Sequence, residues 1–140
     1  MDDVLLNKAA TVERCAARVR ETLAGDPDLT SLDAQDVVVL NLRRAAQACI
    51  DGAMHSVREA RLGLPQASRD AFQMLADAGL LDGALAGALM RMVGLAAPTC
   101  RFRNVAVHEY RALNLDVVRA VAAGGLGDVA AFARWMVARA

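Results

Sequence analysis

DAQDVVVLNLRRAAQACIDGAMHSVREAR, Asp33 to Arg61, is the stretch that decides the fold class. Its three successive valines, Val37–Val39, would suit a strand if they stood alone. The wider pattern overrides them. Val38, Leu42, Ala45, Cys49 and Ala53 recur at spacings of three and four, which lines up one side of an α-helix. Arg44, Ala48, Asp51 and His55 fall on a neighbouring line. The spacing predicts a long helix from near Asp33 to about Arg61.

The same period extends in both directions. Upstream, Val12, Cys15, Val19 and Leu23 form an apolar stripe, and Arg14, Arg18 and Glu21 lie off it. A first helix is expected from about Asp3 to Leu23, stopped by Gly25 and Pro27 in GDPDLTSLDAQ. Downstream, GLPQAS (Gly63–Ser68) reads as a turn followed by a cap. A short helix over Ser68–Asp77 then turns Phe72, Leu75 and Ala76 inward and ends at Gly79. A further helix from about Asp82 carries Leu85, Leu89, Met92 and Val93, and Met90 and Met92 read as packing residues. Pro98 interrupts this pattern, and Thr99 can cap a restart that includes Arg101–Tyr110. Leu113–Asp116 resembles a cap region leading into Val117, Val118 and Val121. Gly124, Gly125 and Gly127 are expected to interrupt again, with Asp128 capping a last helix that carries Val129, Phe132, Trp135 and Met136. No segment alternates at strand period for long. The fold class expected is all-α: an antiparallel bundle of four to five main helices.

A chain of 140 residues and 14.8 kDa is expected to form one domain over residues 1–140. Its hydrophobic fraction of 56% includes many alanines, which favour helix and let helices approach closely. That fraction is high for a small monomer, so part of the surface is expected to be covered in a homodimer. The 16 basic and 16 acidic residues cancel, which argues against a nucleic-acid binder held by bulk charge. Local handling of one or two phosphates is not excluded. Lys8 is the single lysine, so the cations are almost all arginine, whose planar fork suits phosphate. Three well-separated cysteines make neither a CxxC nor a disulfide framework, and Cys15 and Cys49 read as core thiols. The start of the chain, MDDVLLNKAA, is unlike a signal peptide, and no apolar run is long enough to cross a bilayer. The expected setting is the cytoplasm, with no membrane partner.

RFRNVAVHEY, Arg101–Tyr110, carries the chemistry. One of two histidines and the single tyrosine of the chain sit here beside arginine and asparagine. On a helix, Asn104, His108 and Arg111 share one side, and Arg103, Val107 and Tyr110 share the adjacent side. Arg103 and His108 diverge by roughly 140° on a single helix. They converge if the site lies between two antiparallel copies of that helix. Such a groove suits attack by a ribose 2′-hydroxyl on the neighbouring phosphate. Histidine can move the proton, arginine can hold the charge gathering on the phosphoryl oxygens, and asparagine can anchor either. A solvated polar helix face is the plain alternative. Asp51 and His55 are four apart; Asp51 can orient a histidine, meet an arginine from another helix, or simply tie two helices together. No HExxH, zinc-like spacing or glycine-rich nucleotide loop is present, so neither metal nor cofactor is expected.

RFRNVAVHEY resembles the R-x4-H-x-Y motif of the HepT toxin family, a branch of the HEPN ribonucleases. The matching residues are Arg103, His108 and Tyr110, with Asn104 directly after the arginine. CIDGAMHSVREARLGLPQASRDAFQMLADAGLLD is similar to that family's second and third helices, and DVVRAVAAGGLGDVAAFARWM to its terminal part. The likeness runs from about residue 35 to 136. It implies a HEPN-like, homodimeric helical toxin that cleaves RNA without metal at a composite site. Arg103 and His108 would be the catalytic pair, Asn104 their support, and Asp51 a neighbour that positions one of them. Tyr110 would be the residue to which a minimal nucleotidyltransferase antitoxin, MntA-like, transfers AMP.

One departure stands out. In the family, a Met-x-Gly-Phe-like helix end runs straight into Arg-Asn. Here Met92-Val93-Gly94-Leu95 is followed by AAPTCRF, residues 96–102, before Arg103. Seven extra residues equal about two helical turns, but Pro98 opposes an unbroken helix. The other classes of function open to this sequence are a helical module that binds RNA or a nucleotide without cutting, and a regulatory partner of a nucleotidyltransferase.

Overall fold

The computed structural model describes residues 1–96 and 115–140, and it is helical almost throughout them. Five helices follow in chain order among the described residues: α1 (Asp3–Gly25), α2 (Leu32–Glu59), α3 (Asp70–Asp77), α4 (Gly83–Ala96) and α5 (Leu115–Arg139).

Helices α1, α2 and α4 each begin where a short polar side chain can take up free backbone amides. Asp2 Oδ1 accepts from the N–H groups of Val4 and Leu5 at 3.1 and 3.2 Å. Ser31 Oγ accepts from Ala34 N–H at 3.0 Å, and Asp82 Oδ2 from Leu85 N–H at 3.0 Å. Helix α3 is shorter than the expected Ser68–Asp77. Ser68 and Arg69 lie in a turn, and no side chain caps the helix at Arg69. Instead Asp70 reaches back, its Oδ2 accepting from Ala67 N–H at 3.1 Å.

Helices α2 and α3 end in the same way. At Gly79, φ is 75°, and the N–H groups of Leu80 and Gly79 donate to the carbonyls of Leu75 and Ala76. The α2 end repeats this pattern with Leu62 and Arg61 donating to Val57 and Arg58, but the left-handed position is Arg61, at φ 57°. A side chain there costs about 1 kcal/mol relative to glycine. Helix α2 therefore stops at Glu59, two residues short of the expected Arg61.

The α1–α2 connection is tied down by Asp26. Its carboxylate accepts from the N–H and Oγ1–H of Thr30 and from Ser31 N–H, all at 3.0 Å. Leu29 also sits at positive φ, 54°, with its side chain fully buried and its carbonyl accepting from Gln35 Nε2. Burial of the leucine, worth about 1.5–3 kcal/mol, outweighs the strain of that conformation.

The helices run antiparallel in succession. Lys8 and Asp2, at the start of α1, meet Asp51 and His55, near the end of α2. Arg119, early in α5, donates to the carbonyl of Asp28 in the α1–α2 connection. Trp135, late in α5, donates from Nε1 to the carbonyl of Leu80, just before α4. The result is an up-and-down bundle of α1, α2, α4 and α5, with α3 laid against α2 and α4. Phe72 of α3 meets Phe132 of α5 edge-on at 5.3 Å, and Phe132 stacks on Trp135 at 5.0 Å. The stripes expected in α1 and α2 are buried, including Val12, Cys15, Val19, Val38, Leu42 and Cys49.

One expectation fails. Gly124, Gly125 and Gly127 do not interrupt the chain, and Asp128 does not cap a new helix; all four lie inside the continuous α5. Gly125 is where α4 comes close: a Cβ there would stand 2.9 Å from Met92 Cγ. Val118, Val121, Ala122, Leu126 and Val129 are buried around the glycines, and this packing overrides their poor helix propensity.

Candidate functional site

Of the residues singled out for chemistry, Asp51 lies within the described structure. Arg103, Asn104, His108 and Tyr110 lie outside the described residues, as do Pro98, Thr99, Cys100 and most of the 96–102 insert. Helix α4 finishes at Ala96 and α5 begins at Leu115, and the start of α5 is held against the α1–α2 connection by the Arg119–Asp28 hydrogen bond.

Asp51 projects from the third quarter of α2 towards α1. Its Oδ2 lies 3.2 Å from Lys8 Nζ, and its Oδ1 accepts from Gln47 Nε2 at 2.8 Å. Of the roles open to it from spacing, the described structure displays the inter-helix tie. His55 is four residues on but does not pair with Asp51. Its Nε2 lies 2.7 Å from Asp2 Oδ2, with the imidazole N–H donating to the carboxylate. The i,i+4 relation placed both residues on adjacent lines, and each found its partner on α1 instead.

Asp2 thus caps α1 and grips α2 with one carboxylate. The hydrogen bond from His55 is the largest influence on its pKa, and the amides of Leu5 and Val4 act in the same direction. Together they hold the carboxyl below its ordinary 3.8 against a smaller desolvation effect. A depressed carboxyl pKa stabilises the fold above the unfolded value, and that contribution disappears as pH falls through the folded value. Asp2→Asn should therefore lower the urea midpoint at pH 6, and the gap from wild type should be smaller at pH 3, below the ordinary carboxyl value of 3.8. An equal gap at both pH values would show that charge on Asp2 is not involved.

A surface groove of about 810 Å³ runs between α1 and α2, with Asp51 and Lys8 at one end and Arg18 and Asn41 towards the other. Between them stand Arg14, Cys15 and Arg44. Burial raises the Cys15 pKa more than these two guanidinium groups lower it, so the thiol is a poor nucleophile. Cys49 is fully buried and its thiol is pushed up further by desolvation alone. Among the described residues no group of three or more His, Cys, Asp or Glu side chains is placed to hold a metal ion. Among them, too, no helix is long and apolar enough to cross a membrane. Sequence spacing pointed to neither the groove nor the Asp2–His55 pair. Each is assembled across two helices, and the available signal was limited to arginines lying off the apolar stripe of α1.

Comparison with known proteins sets this geometry in context. The family described as Ribonuclease HepT-like matches residues 12–136. A protein of Shewanella oneidensis named mRNA nuclease HepT is 42% identical over 133 residues, spanning 94% of this chain and 95% of that protein. Among solved structures, a tri-AMPylated HEPN toxin of Shewanella oneidensis in complex with MNT antitoxin is 41% identical, with a TM-score of 0.80 and 99% of each chain covered. A toxin–antitoxin solved with AMP-PNP is 39% identical, with a TM-score of 0.79 over 97% of this chain and 99% of that one.

Proposed function

Because the chain belongs to the ribonuclease HepT-like family, we propose that it is the RNA-cleaving toxin of a toxin–antitoxin pair, working as a homodimer of single-domain subunits in the cytoplasm. The observation that carries this reading is similarity along nearly the whole chain to a named mRNA nuclease, at 42% identity. The shared bundle supports it: the same fold occurs in a HEPN toxin solved with an MNT antitoxin.

Arg103 and His108 are the catalytic pair in this reading. Two copies of the motif meet across the dimer axis, so two histidines and two arginines surround one scissile phosphate. The 2′-hydroxyl oxygen attacks phosphorus, and one His108 takes its proton. The bond from phosphorus to the 5′-oxygen breaks, and the second His108 gives that oxygen a proton, leaving a 2′,3′-cyclic phosphate. Arg103 holds the charge on the non-bridging oxygens, and Asn104 anchors the phosphate or the histidine. The family resemblance places Asp51 beside this pair, whereas in the described structure its carboxylate ties α2 to Lys8 of α1. Every proton is carried by a side chain, so no metal is required.

Tyr110 is the regulatory residue. A nucleotidyltransferase antitoxin transfers AMP to its phenol oxygen, which sets bulk and negative phosphate beside a site built for RNA phosphate. The tri-AMPylated state of the related toxin supports this assignment. The test of the whole reading is incubation of the purified protein with RNA in excess chelator. Cleavage to cyclic-phosphate ends is expected; cleavage only after magnesium is added would contradict the mechanism.

A further inference from the structure

The groove between α1 and α2 has more cations than its own anions can neutralise. Lys8, Arg14, Arg18 and Arg44 line it, against Glu21 and Asp51. Lys8 is matched by Asp51 at 3.2 Å, and Arg18 by Glu21 at 2.9 Å. Arg14 and Arg44 have no ionic or hydrogen-bonded partner among the described residues, and both are exposed. They project from different helices, α1 and α2, and line the same groove. Two unpaired guanidinium groups in one groove repel each other, and an anion bound between them relieves that repulsion. The chain as a whole is neutral, so this excess is local and not part of a general basic surface.

The polar groups around the two arginines fit the same kind of ligand. Asn41 and Gln47 line the groove beside them; each donates one amide N–H within α2, to the Val37 carbonyl and to Asp51, and its amide oxygen can still accept from a polar chain. From Lys8 to Arg18 is ten residues of α1, about 15 Å at 1.5 Å per residue, long enough for several linked phosphates and too long for one small anion. One end of the groove is Asp51. The other points to the bundle end where α4 finishes and α5 begins.

We infer that the α1–α2 groove is a track for the backbone of single-stranded RNA, with Arg14 and Arg44 each holding a phosphate. The track lies outside the reacting residues; it binds RNA on its way to them and does not take part in bond breaking. Its ligand rests on the RNA reading given above, whereas its position rests on the unpaired arginines alone.

The experiment uses full-length His108→Ala protein, so that RNA is bound and not cut. A short fluorescent single-stranded RNA is titrated at several salt concentrations. Adding Arg14→Gln and Arg44→Gln should weaken binding roughly tenfold near physiological salt. It should also flatten the slope of log Kd against log salt by about 1.4, because each phosphate contact on single-stranded RNA contributes about 0.7. Arg20→Gln with Arg134→Gln removes the same charge from exposed sites outside the groove and should leave both quantities almost unchanged. Equal weakening by the two pairs would reduce the effect to bulk charge and overturn the track. Unchanged binding by the groove pair would overturn it as well. So would conversion of the groove pair to monomers in sedimentation, which would make the groove a subunit contact. A His108→Ala protein that binds no RNA removes the track, whatever the wild type cuts. If RNA is held through Arg14 and Arg44 but wild type cuts nothing in chelator, the nuclease reading fails and the track stands.

Discussion

His108→Ala loses RNA cleavage by a factor of ~10²–10⁴ while folding and dimerising as wild type does. The magnitude is that of proton transfer by a placed side chain, about 3–5 kcal/mol of barrier. In the proposed step the same residue type acts twice, once on each side of the phosphate, so the substitution removes both transfers. Arg103→Ala should fall by a comparable factor for a different reason, since it leaves charge on the phosphoryl oxygens unsupported. The two variants separate by pH. A pH–rate profile near neutrality reports histidine ionisation, and Arg103→Ala should keep that profile at a lower level, whereas His108→Ala should flatten it. The assay is RNA cleavage in excess chelator, with far-UV circular dichroism and sedimentation as controls. Wild-type rates from a folded His108→Ala protein would remove His108 from the mechanism.

Tyr110→Phe should have the opposite consequence in cells. It keeps Arg103 and His108, so most RNA cleavage and toxicity persist. It lacks the phenol oxygen proposed to accept AMP, so the partner nucleotidyltransferase should not silence it. Growth under co-expression reads the difference: wild type is rescued by the antitoxin, and the phenylalanine variant is not. Intact mass of co-expressed wild type should show one or more AMP additions, mapping to the peptide that contains Tyr110. Additions that map to another residue, or a Tyr110→Phe protein that is rescued as well as wild type, would overturn the assignment. Rescue through a tight but unmodified complex would point to steric masking, and the added-phosphate argument would no longer apply.

Much of the bundle was legible because its long helices write their burial at a regular period. Val12, Cys15, Val19, Val38, Leu42 and Cys49 were expected inside and are buried. The polar contacts were less legible. Asp51 and His55 share a helix, which made them look like partners, but Lys8 and Asp2 on α1 hold them. Periodicity ranks positions on one helix and says nothing of which charged side chain arrives from another. The motif of Arg103, Asn104, His108 and Tyr110 was readable as chemistry from residue type and order, and in the proposed site its convergence depends on a second subunit. The glycines misled for a related reason. Gly124, Gly125 and Gly127 weaken a helix considered alone, and only the approach of Met92 explains why one of them is present.

Those glycines also bear on the order in which the molecule assembles. Each lowers the intrinsic helicity of α5 by about 1 kcal/mol relative to alanine, and all three fall within four successive positions. The middle of α5 is therefore a poor autonomous helix, and its hydrogen bonds are conditional on α4 being docked. The α1–α2 hairpin depends less on such docking: α2 holds a single interior glycine, Gly52, which packs against Met136 of α5, while the hairpin's capping bonds are local and its loop is short. Nucleation belongs to that hairpin, and α5 zips last, against a surface already formed. In native-state amide exchange, residues 123–127 should open more readily than the turns around Val118 and Phe132, and uniform protection along α5 would refute the order. The helix that directly follows the proposed catalytic motif is thus expected to be the last part of the bundle to set.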